Sequence, residues 1–353
     1  MPKVLYRADG GYPVGTGHIL RGLRIAACWI DIAPEYEVLL VAQDNPAVRR
    51  FVSEASLPNL RTHFLDHARL TPVPKLDADA FETIATNYAP DIIVVDMLDT
   101  PQSDMSRLRE MTNTLVTFDD RGPGRLYAHL ICNFLVRDPN PSDLPDATWL
   151  REGPEYASLP LEFAGVKRGR KEPELVRRVL VSLGGADAAG LTAKVAKELL
   201  PVDSIQEVDF VVGAAFCMRD ELEAVLSKAS WKANLHVAVP SLLPLFNVAD
   251  LAVVAGGITM HEAACCGVPA IAVCQSIDHQ LMVAGWLENA GCMINLGYGE
   301  QLSEGELTTA VSVLSEDQQK RQSMSDAGPH ICDGRGSMRT AQAIVDRHSF
   351  RLD

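Results

Sequence analysis

The residues best suited to chemistry lie in a glycine-rich stretch, Arg7-Ala-Asp-Gly-Gly-Tyr-Pro-Val-Gly-Thr-Gly-His18, that follows a short apolar run. Gly15 and Gly17 permit close backbone approach and unusual φ values, and His18 falls where a helix should begin. An imidazole placed there can take a proton from water near neutral pH. Asp9 is the carboxylate expected to orient it, and Arg7 and Arg21 are counted with the substrate-binding groups. The plain alternative is a histidine that only caps its helix.

A second constellation is Gly256-Gly-Ile-Thr-Met-His-Glu262, again after an apolar run. Gly256, Gly257, Ile258 and Thr259 at a helix N-terminus would seat a phosphate on free N–H groups and the positive dipole end. Glu262, one turn on, could accept both hydroxyls of a ribose. The competing reading makes Thr259 and Glu262 a capping pair, S/T-x-x-E. His279 and Gln280 open the next helix, and Gly184 and Gly185 sit in the loop after another apolar run. All of these should bind substrate.

Other features carry less. Asp77-Ala-Asp79 spells a metal-dependent D-x-D but should open a helix, where capping is the ordinary role. His63 and His67 lack a carboxylate partner pattern, so no metal and no cofactor is expected. The eight cysteines contain no C-x-x-C pair and read as core thiols. There is no phosphate-binding G-x-x-x-x-G-K-[ST] and no dinucleotide fingerprint with a suitably placed acid.

These residues need a scaffold. Short Val/Ile/Leu-rich runs alternate with segments of helical period, the pattern of parallel strands covered on both faces. Strands are expected at 3–9, 37–43, 61–66, 91–98, 114–119 and 128–133, then at 178–183, 207–212, 235–239, 251–255, 270–274 and 293–296. Between the two sets, Pro139, Pro141, Pro145 and the charged Lys167–Lys171 break the alternation. The expected organisation is an N-terminal Rossmann-like domain over 1–145, a connection over 146–177 and a C-terminal nucleotide-binding domain over 178–353, the last helix of which could pack back on the first domain. The fold class is α/β, two doubly wound domains facing a cleft in which ligand binds at the carboxyl ends of the strands.

Composition bounds the function. The chain has 353 residues, 47% hydrophobic and 22% charged, and a formal net charge of −14. That charge argues against nucleic acid or an anionic membrane as partner. No run approaches the ~18 apolar residues of a membrane span, and the N-terminus reads as no signal peptide, so a cytoplasmic protein is expected. Oligomeric state is left open.

Taken together, Gly15-Thr-Gly-His18 with Arg7 and Asp9, Asp119-Asp-Arg-Gly122, Leu183-Gly-Gly185, Gly256–Glu262, His279-Gln280 and Asp333-Gly-Arg-Gly336 fall in the order seen in the pseudaminic-acid-pathway hydrolases. Over nearly its whole length the chain resembles that family, which cleaves UDP-2,4-diacetamido-2,4,6-trideoxy-β-L-altropyranose and is similar in fold to the peptidoglycan N-acetylglucosaminyltransferase. The resemblance implies a GT-B fold, no metal, a UDP site in the C-terminal domain, His18 as base and Glu262 as nucleoside contact. Two segments depart from the pattern. Asp96-Met-Leu98 stands where the family often has Asp-His-Tyr, and Pro160 in Tyr156-Ala-Ser-Leu-Pro-Leu-Glu-Phe163 replaces an arginine. The expected activity is hydrolysis of a UDP-sugar with inversion. The rivals are an inverting glycosyltransferase using the same donor site and an inactive nucleotide-sugar binding module.

Overall fold

The computed structural model describes residues 1–10, 16–65, 78–166, 169–185, 187, 189–214, 216–275 and 277–351. The chain divides into two compact units, Met1–Leu159 with Arg335–Asp353, and Pro160–Gly334.

The first unit runs β1 (Lys3–Ala8), α1 (Gly17–Ile32), β2 (Glu37–Gln43), α2 (Pro46–Ala55), β3 (Leu60–Leu65), α3 (Ala78–Tyr88), β4 (Ile92–Asp96), α4 (Gln102–Glu110), β5 (Thr114–Phe118), β6 (Leu130–Asn133) and β7 (Leu150–Glu152). Its strands form one parallel sheet of order β3-β2-β1-β4-β5-β6-β7. β4 is Ile-Ile-Val-Val-Asp and is buried at every position, as a strand covered on both faces must be. The side chains of a strand alternate between faces, so each strand feeds two cores. Val4, Tyr6, Ala8, Ile92 and Val94 pack with Ile19, Leu23 and Trp29 of α1. Leu5, Ile93 and Val95 pack on the other face with Phe81, Met105 and Leu108. Asn45 caps α2 by accepting from Val48 N–H at 3.0 Å, and Pro46 supplies the first helical residue without losing a bond.

The second unit runs β8 (Arg178–Ser182), α5 (Leu191–Leu199), β9 (Glu207–Val212), α6 (Arg219–Leu226), β10 (Lys232–Val237), α7 (Leu243–Phe246), β11 (Leu251–Val254), α8 (Gly257–Cys265), β12 (Ala270–Cys274), α9 (Asp278–Asn289), β13 (Met293–Tyr298), α10 (Glu306–Glu316) and α11 (Gln318–Ile331). Its parallel sheet has order β10-β9-β8-β11-β12-β13. The chain then closes with α12 (Gly336–Phe350), whose Ala341, Ala343 and Ile344 belong to the core beside α1. Residues 146–159 hold β7 and belong to the first unit.

In both sheets the first strand has later strands on either side, so strand order reverses at β1/β4 and at β8/β11. A doubly wound sheet opens a crevice at the carboxyl ends of the strands at such a point.

Candidate active site

At the β1/β4 reversal, α1 packs over β1 so closely that a Cβ added to Gly22 would lie 3.1 Å from the Tyr6 ring. This brings His18, in the first turn of α1, to the last residue of β4. His18 Nδ1 lies 2.6 Å from Asp96 Oδ1. Asp96 is fully buried, while the His18 side chain keeps 12% of its exposure. Arg21 donates from Nε to Asp96 Oδ2 at 2.8 Å, from Nη2 to Asp96 Oδ1, and from Nη1 to Asp119. Its Nη2 is 3.2 Å from His18 Nδ1. Tyr6 donates its hydroxyl proton to Asp96 Oδ2 at 3.2 Å. Asp119, at a φ of 48°, accepts backbone N–H bonds from Phe134 and Leu135, both 2.9 Å, which fixes the far end of the chain of charges.

The electrostatics follow from these contacts. Burial pushes the Asp96 carboxyl up, but Arg21 and His18 outweigh it and hold it below the usual carboxylate range. Burial likewise opposes the charge on Arg21, and Asp96 and Asp119 reverse that, raising its pKa. Burial, and then the Asp96 charge, keep the Tyr6 hydroxyl protonated well past its ordinary range. An ionised carboxylate on Nδ1 holds the proton on that nitrogen and leaves Nε2 as the proton acceptor.

The orienting carboxylate is therefore Asp96, which corrects the expectation for Asp9. Strand parity explains the difference. Positions 92, 94 and 96 share the face of Tyr6 and α1, whereas Arg7 follows Leu5 onto the opposite face. There Arg7 closes on Asp9 with two bonds of 2.5 and 2.7 Å, and Asp9 also accepts the Gln43 N–H at 2.9 Å. Arg7 is fully buried and Arg21 is 3% exposed, so neither guanidinium is placed to touch substrate. Gly17 opens α1 with open space around it. Gly15, Asp77 and His67 lie outside the described residues.

The second unit builds another site at β8/β11. Gly256 adopts a φ of 75°, which glycine tolerates best, and a Cβ there would come within 3.0 Å of Gln280 Nε2. α8 starts at Gly257 with no side-chain cap, so the N–H groups of Gly257, Ile258 and Thr259 have no partner within the helix. Thr259 is inside α8 rather than before it, which removes the capping-pair reading. Glu262, 6% exposed, follows on the next turn. Gly184 has a φ of 102°, and it and Gly185 are exposed beyond β8. Gln280 accepts the Gln275 N–H at 2.8 Å, and Gln275 donates to Leu183 O at 2.8 Å and to Asp187 at 2.9 Å. Asp187 in turn accepts Thr192 N–H at 2.7 Å at the head of α5. Gln275 and Asp187, absent from the sequence-based site, thus tie the loop after β8 to the loop after β12. His279 is half-buried in the first turn of α9. Among the described residues no three His, Cys, Asp or Glu side chains are grouped to hold a metal ion, and no helix is long and apolar enough to cross a membrane.

Two parallel-sheet, Rossmann-like α/β units define the architecture of the GT-B glycosyltransferases, and this chain has it. No protein-family profile matches the sequence. Along its whole length the chain is similar to the spore coat polysaccharide biosynthesis protein SpsG of Bacillus subtilis, 26% identical over 352 residues and covering 98% of each protein. Among solved structures it is similar to MurG of Acinetobacter baumannii, at 14% identity, a TM-score of 0.67 and coverage of 98% of this chain and 100% of that one. It is also similar to MnaA of S. aureus, solved with UDP, at 12% identity, a TM-score of 0.68 and coverage of 100% and 97%.

Proposed function

We propose that this protein is a UDP-sugar hydrolase. It would act on an acetamido-deoxy sugar in surface-polysaccharide biosynthesis, in the cytoplasm, and without a metal. The observation that carries the reading is the buried Asp96 carboxylate on His18 Nδ1, which makes Nε2 a proton acceptor at the carboxyl ends of β1 and β4. The relative in spore coat polysaccharide biosynthesis and the UDP bound to MnaA support the substrate class.

In this mechanism the N-terminus of α8 meets the diphosphate with the N–H groups of Gly257, Ile258 and Thr259, and Glu262 accepts from the ribose. His18 Nε2 takes a proton from water as the water oxygen attacks C1. The bond from C1 to the diphosphate oxygen breaks, and its electron pair leaves on UDP, stabilised by the helix dipole. Attack from the opposite face inverts C1, and UDP needs no protonation to depart.

The same groups would serve an inverting transferase, with an acceptor hydroxyl in place of water, and the likeness to MurG favours that second reading. Incubation with a panel of UDP-sugars, with and without acceptors, separates the two: free sugar with UDP supports hydrolysis, and product only with an acceptor supports transfer. His18→Ala should abolish turnover by either route and leave UDP affinity nearly unchanged, because the diphosphate seat lies in the other unit. Near wild-type turnover in that variant removes His18 from the mechanism.

A further inference from the structure

Behind His18 the charges alternate in sign. Asp96 meets the imidazole, and the Arg21 guanidinium spans Asp96 and Asp119. Asp119 closes the row on the loop after β6, where its Oδ1 accepts from the Phe134, Leu135 and Val136 N–H groups at 2.9, 2.9 and 3.4 Å. Its own N–H donates to Cys132 O at 3.1 Å, so the carboxylate is fixed from both sides. The guanidinium carbon lies 5.1 Å from the ring centroids of both Phe118 and Phe134. A planar fork suits two carboxylates at once, which the point charge of a lysine does not. Asp96, Arg21 and Asp119 are all buried, so solvent ions screen their charges little.

The balance of charge gives the row a use. With a neutral imidazole, two carboxylates stand against one guanidinium, and the row carries an excess negative charge. A proton arriving at His18 Nε2 makes the row neutral, with signs alternating from end to end. Arg21 acts in the other direction, because its Nη2 is 3.2 Å from His18 Nδ1 and a cation there disfavours an imidazolium. The remote Asp119 offsets that cost, so the arginine that holds Asp96 in place does not stop the ring from taking up a proton. Among the described residues the other titratable groups facing the row are Tyr6, whose hydroxyl bonds Asp96, and Cys132 on β6. Burial keeps both protonated, the thiol pushed up to about 12, so they add no charge.

We infer that Arg21 and Asp119 are positioning residues for the base: Arg21 fixes the Asp96 carboxylate on His18 Nδ1, and Asp119, acting through Arg21, supplies the second negative charge that lets the ring hold a proton in the transition state. Arg21, expected from the sequence to bind substrate, thus serves the base from behind. The inference rests on His18 being the base, as proposed above.

The test follows the His18 ring of the full-length protein by NMR through a pH titration without substrate, and beside it the pH dependence of kcat/KM for UDP release, which reports the free enzyme. Asp119→Asn removes the remote negative charge, so the ring should titrate about one pH unit lower than in the wild type; Arg21→Gln removes the opposing cation and should move it about one pH unit higher. The protein carrying both substitutions has lost one charge of each sign and should fall between the two. Asp119→Asn keeps an oxygen for the loop N–H groups, so it should fold even if Arg21→Gln, which leaves two buried carboxylates unpaired, does not. In each folded variant the acid limb of kcat/KM should move with the ring. A structural role alone would lower stability and kcat without moving either titration. No shift in Asp119→Asn, shifts of the same sign in both single variants, or an acid limb that stays put while the ring moves would overturn the inference. Ring shifts of the expected signs in a protein that releases UDP from no nucleotide sugar would uphold the charge balance and overturn the proposed activity instead.

Discussion

Asp96→Asn is the substitution that most directly probes the first site, because it keeps the shape of the side chain and changes only which atoms donate. Arg21 donates to both Asp96 oxygens, and His18 Nδ1 meets one of them. An amide nitrogen therefore opposes an arginine N–H in either orientation. If it replaces Oδ1, His18 Nδ1 can only accept, the ring proton moves to Nε2, and the base is lost. If it replaces Oδ2, it faces Arg21 Nε, and the histidine bond survives without the carboxylate charge that favours imidazolium. Loss of the correct tautomer should cost roughly 10³- to 10⁴-fold in kcat, as when a buried carboxylate is removed from a catalytic histidine. At about 1.4 kcal/mol per decade this is about 4 to 5.5 kcal/mol of transition-state stabilisation. Leaving Arg21 inside the fold with one carboxylate in place of two should also destabilise the protein by about 3 to 5 kcal/mol. The assay is UDP release from the best nucleotide sugar at a temperature where circular dichroism shows the variant folded, beside an NMR measurement of the His18 tautomer. A folded Asp96→Asn protein with kcat within tenfold of wild type would refute the reasoning, and the tautomer measured without substrate tells which of the two amide orientations the variant adopts.

Three further outcomes are expected. Glu262→Gln should weaken UDP binding about tenfold, the value of a charge-assisted over a neutral hydrogen bond, while saturated turnover falls far less than in His18→Ala; isothermal titration checks this, and unchanged affinity excludes Glu262 as the nucleoside contact. Activity should survive exhaustive EDTA treatment if, as proposed, the N-terminus of α8 meets the diphosphate charge; loss that Mg²⁺ or Mn²⁺ restores would contradict that role. The folded-state pKa of His129, about 3, lies below the usual histidine value of 6.5, so the unfolded chain binds the extra proton between those limits. Its contribution is present above pH 6.5 and is lost as pH falls, with a slope up to about 1.4 kcal/mol per pH unit. Denaturation curves of wild type and His129→Gln should converge on acidification, and parallel curves would be inconsistent with a neutral buried ring.

The sheets were legible because fully buried parallel strands leave unbroken apolar runs, as in Ile92-Ile-Val-Val95 and Leu251-Ala-Val-Val254. β7 was not, since its three residues, Leu150–Glu152, sit among prolines and polar side chains and pair only with β6. The glycine-rich stretches drew attention to His18 and to the start of α8; Gly256 is held at a φ of 75°, whereas Gly17 has open space around it. Asp9 is near His18 in the sequence, but its carboxylate bonds Arg7 and the Gln43 N–H instead. Counting by twos along Ile92, Val94 and Asp96 would have put the Asp96 carboxylate on the face that α1 covers. Arg7 and Arg21 looked like anion ligands because a sequence does not reveal that a carboxylate elsewhere already holds an arginine. The links made by Gln275 and Asp187 left no trace in spacing at all.

The way α12 closes the first unit bears on how the protein is made. Residues 1–159 do not contain their own complete core: Ala341, Ala343 and Ile344 fill it, Ser337 bonds Ser158 at 2.8 Å, and Arg347 holds His129 O. During synthesis the first unit must therefore wait, with the face of α1 and β1 only partly covered, until α12 leaves the ribosome, whereas Pro160–Gly334 is continuous and can fold before that. A nascent chain stalled near Gly334 should expose a folded second unit beside an unfinished first one, and fragments meant to isolate the first unit need α12 joined to them.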